Sequence, residues 1–194
     1  NTTDAPITVD IACSDNDYYF KPLVTRKELQ PAETGIIQVT LDAEECPIYG
    51  PLNTEMHVVV NGQTILSEEY AINIKANIKE DFSKMSVADR QQAPIMEYTS
   101  TANLGTIKAG KKVAAKYTLS NIGVNSLIIR RAFINDSAIT LTAPKTIKGG
   151  KKADIKVELN TADMTPGNYS RVITVITNDP AHAVVRLHMN WTIE

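Results

Sequence analysis

Asn103-Leu-Gly-Thr-Ile-Lys-Ala-Gly-Lys-Lys112, followed closely by Tyr117-Thr-Leu-Ser-Asn-Ile-Gly-Val-Asn-Ser-Leu-Ile-Ile129, is the stretch of sequence that decides the fold. Apolar and polar residues alternate on either side of glycine-containing turns, and this period of two is typical of β-strands. The stretch therefore predicts successive strands and marks where one module begins. With that start placed, the rest of the chain falls into two related units.

The residues after 97 predict a seven-stranded sandwich. In Lys152-Ala-Asp-Ile-Lys-Val-Glu-Leu159 the apolar residues alternate with charged ones, so this strand buries one face and exposes the other. Seven short strands spaced about 8–12 residues apart are typical of an immunoglobulin-like β-sandwich. The predicted strands lie at residues 98–107, 112–120, 126–134, 138–142, 152–160, 169–177 and 182–193. The predicted core consists of Leu127, Ile129, Ile155, Val157, Leu159, Ile173, Val175, Val185 and Leu187.

The first half of the chain has the same kind of pattern, with alternating strands near both ends and a tight hairpin predicted at Asn61-Gly62. Between the halves, Ser86 is placed to cap a short helix that ends before Pro94. We therefore predict an all-β chain of two tandem immunoglobulin-like sandwiches. The predicted domains are residues 1–79 and 97–194, joined by a helical linker at 80–96.

The two halves also resemble each other. Gln38-Val-Thr-Leu-Asp-Ala43 matches Lys156-Val-Glu-Leu-Asn-Thr161, and the segment 1–9 fits onto 121–129. On this alignment the first sandwich has no equivalent of the two strands at 98–120. Two explanations remain open: upstream sequence lies outside this chain, or a strand from another chain or segment completes the sheet. The absence of an initiator Met at Asn1 agrees with a processing or cloning boundary.

Composition indicates a globular protein with an uneven charge distribution. Hydrophobic residues make up 43% and charged residues 22%, and no apolar run approaches the length of a membrane span. The net charge of −2 combines −8 for residues 1–80 (5 Lys/Arg, 13 Asp/Glu), −1 for 81–97 (2 and 3) and +7 for 98–194 (13 and 6). Such opposite charges favour head-to-tail self-association.

No catalytic, cofactor-binding or metal-binding constellation is predicted. His57, His182 and His188 have no second ligand at metal spacing, and neither a nucleophile elbow nor a phosphate-binding loop is present. A calcium site formed by Asp15, Asp17, Glu44 and Glu45 has no supporting motif. We therefore expect no enzyme activity.

Cys13 and Cys46 are the only cysteines. They either form one disulfide, which would stabilise the fold by about 3–4 kcal/mol, or remain two separate thiols. Sequence alone leaves both possibilities open.

The basic residues after 97 suggest an anion-binding patch at one end of the second sandwich. A patch of this kind would bind an anionic polymer such as an acidic envelope glycan, whereas sparse aromatic residues argue against nucleic acid. A solvated charged surface is the alternative. The patch residues are Lys111, Lys112, Lys148, Lys151 and Lys152.

The motifs Asn103-Leu-Gly-Thr-Ile-Lys-Ala-Gly, Leu119-Ser-Asn-Ile-Gly123 and Ile173-Thr-Val-Ile-Thr-Asn-Asp-Pro180 resemble an exported bacterial family called domain of unknown function fifteen seventy-three. The resemblance implies an immunoglobulin-like fold and an exported protein, which is periplasmic, outer-membrane-associated or extracellular. It implies no activity, because the family has none established. Members often carry Cys-Gly-Cys where this chain has Ala132-Phe-Ile-Asn135, so a thiol or metal role of that motif is absent from the second domain, and the equivalent place in the first unit holds Cys13 alone.

These observations predict a non-catalytic structural or protein-interaction module. The alternative is a protein that binds the cell envelope or an anionic glycan through its basic C-terminal domain. The partner is therefore expected to be a protein or an envelope glycan.

Overall fold

The structure is a computed structural model that describes all residues, 1–194. The chain folds into two compact units, Asn1–Ile78 (unit 1) and Lys79–Glu194 (unit 2). The chain is all-β with immunoglobulin-like sandwich architecture, as predicted. The finer domain bounds, 1–79, 80–96 and 97–194, stay a prediction.

Unit 1 consists of two sheets. The larger has the order β3-β1-β5, and β6 and β7 pair with the other edge of β5, while the smaller contains β2 and β4 alone. The predicted hairpin is confirmed: Val60 lies opposite Gln63, and both Asn61 and Gly62 have positive φ, 50° and 78°. The strands are β1 (Ile7–Ala12), β2 (Phe20–Val24), β3 (Glu28–Leu29), β4 (Ile37–Leu41), β5 (Gly50–Val60), β6 (Gln63–Thr64) and β7 (Ala71–Ile78).

Unit 2 begins with the predicted linker segment and continues as a two-sheet sandwich. Its helix α1 has the expected capping box, in which Ser86 Oγ accepts from the Asp89 amide at 3.1 Å and Asp89 Oδ2 accepts from the Ser86 amide at 3.3 Å. The elements are α1 (Val87–Gln91), β8 (Met96–Tyr98), β9 (Thr101–Ile107), β10 (Lys112–Asn121), β11 (Leu127–Phe133), β12 (Ile139–Thr142), β13 (Thr146–Ile147), β14 (Lys152–Asn160), β15 (Gly167–Thr177) and β16 (Val184–Ile193). The sheets have the orders β12-β14-β10-β8 and β13-β11-β15-β16-β9.

The single strand predicted at 98–107 is two strands in different sheets. β8 pairs antiparallel with β10, whereas β9 pairs parallel with β16. The buried carboxylate of Asp179 fixes β8, because its Oδ2 accepts from the Met96 amide at 2.8 Å. The chain thus crosses from one sheet to the other at Thr99-Ser100.

The two hydrophobic cores differ in completeness. Unit 2 buries a cluster of 18 apolar side chains, including all nine predicted core residues. Unit 1 buries a cluster of only six: Tyr19, Phe20, Cys46, Leu52, Met56 and Ile78. Val24 and Leu29 are buried outside this cluster, and most of the other apolar strand residues of unit 1 are only partly covered.

Candidate functional site

The strands of the two units pair in the same order, so equivalent positions can be compared. In unit 1, Ile7 lies opposite Leu29, and in unit 2 Leu127 lies opposite Ile147. The smaller sheets match as well, since Phe20 opposite Leu41 corresponds to Ile139 opposite Leu159. The long hairpins also match, with Gly50 opposite Ile78 and Gly167 opposite Ile193. Strands β1–β5 and β7 therefore correspond to β11–β15 and β16.

Residues 1–78 contain no counterpart of β8, β9 and β10. In unit 2, β10 pairs with the edge of β14 from Lys112–Asn160 to Ser120–Lys152, and β9 pairs with the edge of β16. The equivalent strands in unit 1 are β4, which pairs only with β2, and β7, which pairs only with β5. Each thus keeps one unpaired edge, which can accept another strand.

The inward side chains beside these edges are incompletely buried. Ile37, Val39 and Leu41 on β4 are half-buried, whereas Ile155, Val157 and Leu159 at the equivalent positions of β14 are 0%, 3% and 0% exposed. Ile72, Ile74 and Ala76 on β7 are half-buried too, while Leu187, Met189 and Trp191 on β16 are buried. We call the inward faces and unpaired edges of β4 and β7 the open side of unit 1.

In unit 2 the additional strands supply the missing cover. Tyr117 and Leu119 of β10, Met96 of β8 and Ile107 of β9 all lie in the buried core. Tyr117 also donates its phenol hydrogen to the carbonyl of His188 at 2.8 Å, which joins the two sheets. The open side of unit 1 is therefore an apolar surface whose equivalent in unit 2 is covered by strands.

The backbone of β4 presents alternate residues to its unpaired edge. Thr25 donates to the Ile36 carbonyl at 2.9 Å, and Asp42 donates to the Tyr19 carbonyl at 2.8 Å. In an antiparallel pair such bonds involve every second residue, so the even-numbered residues of β4 bond to β2. The amides and carbonyls of Ile37, Val39 and Leu41 consequently face the unpaired edge.

The electrostatic surroundings of this site are acidic. Unit 1 carries 4 Lys/Arg against 12 Asp/Glu, a net charge of −8. Just after β4, Lys21 Nζ lies 2.9 Å from Asp42 Oδ2 and 3.1 Å from Glu45 Oε2. The hydrogen bond from Lys21 lowers the pKa of Asp42 and the hydrogen bond to Asp42 raises the pKa of Lys21, so both remain charged at neutral pH.

The structure divides the five lysines of the predicted anion-binding patch. Lys111 and Lys112 lie at the start of β10, whereas Lys152 lies opposite Ser120 near its end, and Lys148 and Lys151 belong to the turn before Lys152. Eight residues of strand separate the two groups, a distance of about 26 Å. Lys112 also bonds to Glu158 at 3.0 Å. The five side chains therefore do not form one patch at one end of the sandwich.

The cysteines and acidic residues of unit 1 lie in different environments. Cys13 is an exposed free thiol, and Cys46 is a buried free thiol whose Sγ lies 3.6 Å from the Ile48 carbonyl oxygen. Asp17 accepts from the Tyr19 hydroxyl at 2.9 Å and from the Thr54 hydroxyl. Across residues 1–194 no group of three His, Cys, Asp or Glu side chains has the geometry to hold a metal.

The histidines occupy unrelated positions. His182 Nδ1 lies 2.9 Å from Asp179 Oδ2 in the turn before β16, His57 Nε2 lies 3.1 Å from Glu55, and His188 is exposed on β16. The structure does not bring them together. No helix is both long enough and apolar enough to cross a membrane.

Sequence reasoning identified the missing strands but not the residues that they leave exposed. The alternation at 36–41 is equally compatible with a covered and an uncovered strand. The signal was the repeat alignment, which places Val39 and Leu41 opposite Val157 and Leu159 of the second unit.

Comparison with known proteins places the chain among immunoglobulin-like domains. A family model described as HYDIN/CFA65/VesB-like, Ig-like domain matches residues 94–190. No curated protein matches the chain. A solved structure of a protein of unknown function from Porphyromonas gingivalis W83 is similar, with a TM-score of 0.64 and 15% identity over 99% of this chain and 87% of that protein. At this identity the similarity shows a shared fold.

Two proteases from Vibrio cholerae are more distant structural neighbours. VesB protease has a TM-score of 0.42 and 16% identity over 73% of this chain and 45% of its own length. The secreted serine protease VesC has a TM-score of 0.42 and 11% identity over 98% of this chain and 46% of its own length.

Proposed function

The chain belongs to the HYDIN/CFA65/VesB-like immunoglobulin-like domain family, and from this premise we propose that it is an exported, non-catalytic module that binds other proteins through the open side of unit 1. The resemblance to the exported family of unknown function supports the proposed location. The immunoglobulin-like scaffold supports the proposed class, since such domains present sheet edges and loops for recognition.

The open side is the observation that carries this proposal. It combines unpaired backbone groups on β4 and β7 with half-buried apolar side chains such as Val39 and Ile74. Such a surface favours association with an added strand. That strand forms hydrogen bonds with the unpaired backbone groups and covers the half-buried apolar side chains. Unit 2, whose equivalent edges are paired, offers no such surface.

Site-specific photo-crosslinking in the producing cell tests the proposal. A crosslinking residue at Ile74, on the open side, is expected to yield a discrete adduct with another protein, whereas one at exposed Thr140 of unit 2 yields none. Equal labelling at the two positions, or none at Ile74, contradicts the proposal. Cell fractionation in the same experiment tests export, since the chain is expected outside the cytoplasm.

A second candidate function is the binding of an anionic envelope glycan by unit 2. Its support is a group of exposed lysines, Lys148 and Lys151 in one turn and Lys152 at the start of β14, together with the basic charge of residues 98–194. Replacing Lys151 and Lys152 with Glu is expected to abolish salt-sensitive retention on an acidic glycan. Replacing Lys111 and Lys112 with Glu, at the far end of β10, is the matched control and leaves retention unchanged. Retention that is insensitive to salt excludes this function.

A further inference from the structure

We infer that one end of unit 2 binds the surface of an anionic lipid membrane, with aliphatic loop side chains entering the lipid interface and lysines contacting the headgroups. The inference is independent of the open side of unit 1. It uses lysines of the second candidate function and adds apolar side chains that glycan binding does not require. The aliphatic residues, which we call the apolar tip, are Ile95, Ile122 and Val124, and the lysine cluster beside them consists of Lys145, Lys148, Lys151 and Lys152.

The apolar tip is exposed to solvent although all of its residues are aliphatic. Ile95 directly precedes β8, and Ile122 and Val124 lie in the loop between β10 and β11. Their exposed fractions are 46%, 56% and 62%. The Ile122 amide donates to the Ile95 carbonyl at 2.9 Å, so the two segments are neighbours in space. Exposed aliphatic side chains grouped in this way mark a surface that contacts a partner or a membrane.

The buried side chain of Asn121 holds the apolar tip in place. Its Oδ1 accepts from the amides of Ile95 and Gly123 at 3.3 and 3.0 Å. Its Nδ2 donates to the carbonyls of Asn125 and Ile147 at 2.8 and 2.9 Å. Asn121 therefore uses all four of its hydrogen-bonding positions to join three segments of the chain. The loop is fixed in a conformation that directs Ile122 and Val124 outward.

The backbone of the same loop is prepared for an environment with little water. The amides of Asn121 and Asn125 donate to the carbonyls of Lys151 and Gln92, each at 2.9 Å. The amides of Ile122 and Gly123 are also paired within the protein. Moving an unpaired amide from water into a lipid interface costs free energy, because lipid offers no partner. This loop avoids that cost at four of its amides.

The lysine cluster packs directly against the apolar tip. The Gly150 amide donates to the Asn121 carbonyl at 2.8 Å, and a Cβ atom on Gly149 would lie only 2.3 Å from the Val124 carbonyl oxygen. Residues 143–152 contain four lysines and no Asp or Glu, and residues 121–126 contain no charged residue. Lys112 and Lys116 form ion pairs, whereas the four lysines of the cluster form none. Their charges are therefore free to act on an anionic surface.

Acidic groups at this end of unit 2 are fewer than basic ones. Asp179 is buried and accepts from the Met96 amide, and Asp89 accepts from Ser86 in the capping box of α1. Glu97 is exposed on β8. The net charge is +2, from five Lys/Arg and three Asp/Glu in the four segments that meet here, 87–97, 121–126, 143–152 and 178–183.

The combination of aliphatic and basic side chains favours a lipid surface over a soluble anionic polymer. Charge and hydrogen bonds suffice for a glycan, and Ile122 and Val124 contribute neither. At an anionic membrane both kinds of side chain contribute, since aliphatic groups leave water and lysines approach the headgroups. Each lysine near such a surface increases the affinity about five-fold.

Co-sedimentation of the full chain with lipid vesicles tests the inference. Vesicles of phosphatidylcholine and phosphatidylglycerol in equal parts are expected to bind the chain at least about ten-fold more tightly than phosphatidylcholine alone, and salt should weaken that binding. Lys151→Glu with Lys152→Glu should reduce binding at least about ten-fold. Ile122→Ser with Val124→Ser should reduce it about ten-fold, because both side chains lose their apolar contact with lipid.

Two control variants match these substitutions in chemistry but lie elsewhere. Leu66→Ser removes an exposed aliphatic side chain of unit 1, and Lys111→Glu with Lys112→Glu reverses two charges at the far end of β10. Both should bind vesicles like the unmodified chain. Vesicle binding that survives loss of the apolar tip or of the two lysines overturns the inference.

Insertion into the lipid interface is measured with Val124→Trp and vesicles that contain brominated phosphatidylcholine. Bromine should quench the tryptophan at position 124, because it enters the interface. Trp191, the only tryptophan of the unmodified chain, is buried opposite Tyr169 near the other end of β16 and should not be quenched. Binding without quenching at position 124 means adsorption by charge alone and overturns the inference.

The outcomes separate this inference from both candidate functions. Retention on an acidic glycan that needs Lys151 and Lys152 but not Ile122 and Val124, without vesicle binding, rejects the inference and leaves the glycan function standing. A crosslinking residue at Val124 that captures a protein, again without vesicle binding, also rejects it. Vesicle binding alongside a failed crosslink at Ile74 rejects the proposed use of unit 1 and supports the inference.

Discussion

Arg130 binds Glu80 through two hydrogen bonds, from Nε to Oε2 at 2.7 Å and from Nη2 to Oε1 at 2.8 Å. Glu80 belongs to the predicted linker, and Arg130 lies in the middle of β11. Both side chains are partly buried, with 29% of Arg130 and 15% of Glu80 exposed, so this ion pair is shielded from solvent more than the exposed surface pairs. The segment that follows unit 1 is therefore attached to unit 2 by a specific interaction.

Replacing Glu80 with Ala should destabilise unit 2 by about 1–3 kcal/mol, because the guanidinium of Arg130 loses its carboxylate in a partly buried site. Trp191 is the only tryptophan and is buried in unit 2, so its fluorescence during urea unfolding reports this unit. The matched control is Lys112→Ala, which removes an exposed ion pair with Glu158 and should cost less than about 1 kcal/mol. If both variants lose the same free energy of unfolding, the Arg130–Glu80 pair contributes no more stability than an exposed ion pair.

Leu159→Ala and Leu41→Ala remove the same side chain at equivalent positions of the two units. Leu159 is buried, so its loss should cost about 2–5 kcal/mol. Leu41 is half-buried, and its loss should destabilise unit 1 by about half as much or less. Trp191 fluorescence measures the first change, and amide hydrogen exchange of β5 measures the second. A cost at Leu41 as large as that at Leu159 would show that unit 1 is as closed as unit 2.

Unit 2 should lose stability in alkali because of Tyr117. Burial raises the pKa of this phenol to about 12 from an ordinary value of 10.0, and ionisation would remove its hydrogen bond to His188. A raised pKa means that the stabilisation is complete below pH 10 and is lost as pH rises through about 12. Urea unfolding followed by Trp191 fluorescence should therefore show a smaller free energy of unfolding in this range.

Tyr117→Phe provides the control for this pH dependence. The variant should be less stable at neutral pH by about 1 kcal/mol, since it lacks the hydrogen bond, and its further loss in alkali should be smaller than that of the unmodified chain. Tyr70→Phe, at an exposed phenol of unit 1, should change neither quantity. If the free energy of unfolding falls equally with rising pH in the Tyr117 variant and in the unmodified chain, Tyr117 does not cause the loss of stability in alkali.

Cys13 and Cys46 should behave as two unequal thiols. The intact mass should be the same with and without reductant, because both are free. Alkylation of the folded chain should modify exposed Cys13, and Cys46 should react only after unfolding, because its side chain is buried. A mass that rises on reduction would instead establish a disulfide.

Local patterns allowed the strands to be predicted where one face is buried and the other exposed. Lys152–Asn160 is such a case, since its charged residues lie outside and its apolar residues inside. The hairpin at Asn61-Gly62 was equally predictable, because these residues readily adopt the positive φ that the turn requires.

Features that depend on distant residues could not be predicted in this way. The break between β8 and β9 leaves the alternation intact, and it is fixed by Asp179, more than 80 residues later. The two-residue strands β3 and β13 exist only because they pair with β1 and β11. The positions of turns predict one lysine patch, but they do not contain the strand register that places Lys112 and Lys152 far apart.

The candidate site depends both on local sequence patterns and on contacts between distant residues. The absence of two strands was visible in the repeat, but the half-exposure of Ile37 and Ile74 depends on which edges those strands cover. Burial is a property of the assembled sandwich rather than of any window of sequence.

The parallel pairing of β9 with β16 has a mechanical consequence. These strands lie near the two ends of unit 2 and run in the same direction, from His188–Thr101 to Ile193–Ile107. Tension applied between the start of β9 and the end of β16 pulls these two strands in opposite directions along their length. The hydrogen bonds between them are then loaded together in shear and resist as a group, whereas an antiparallel terminal hairpin would open one bond at a time. A load placed across β9 and β16 would thus be carried by the whole row of hydrogen bonds between them.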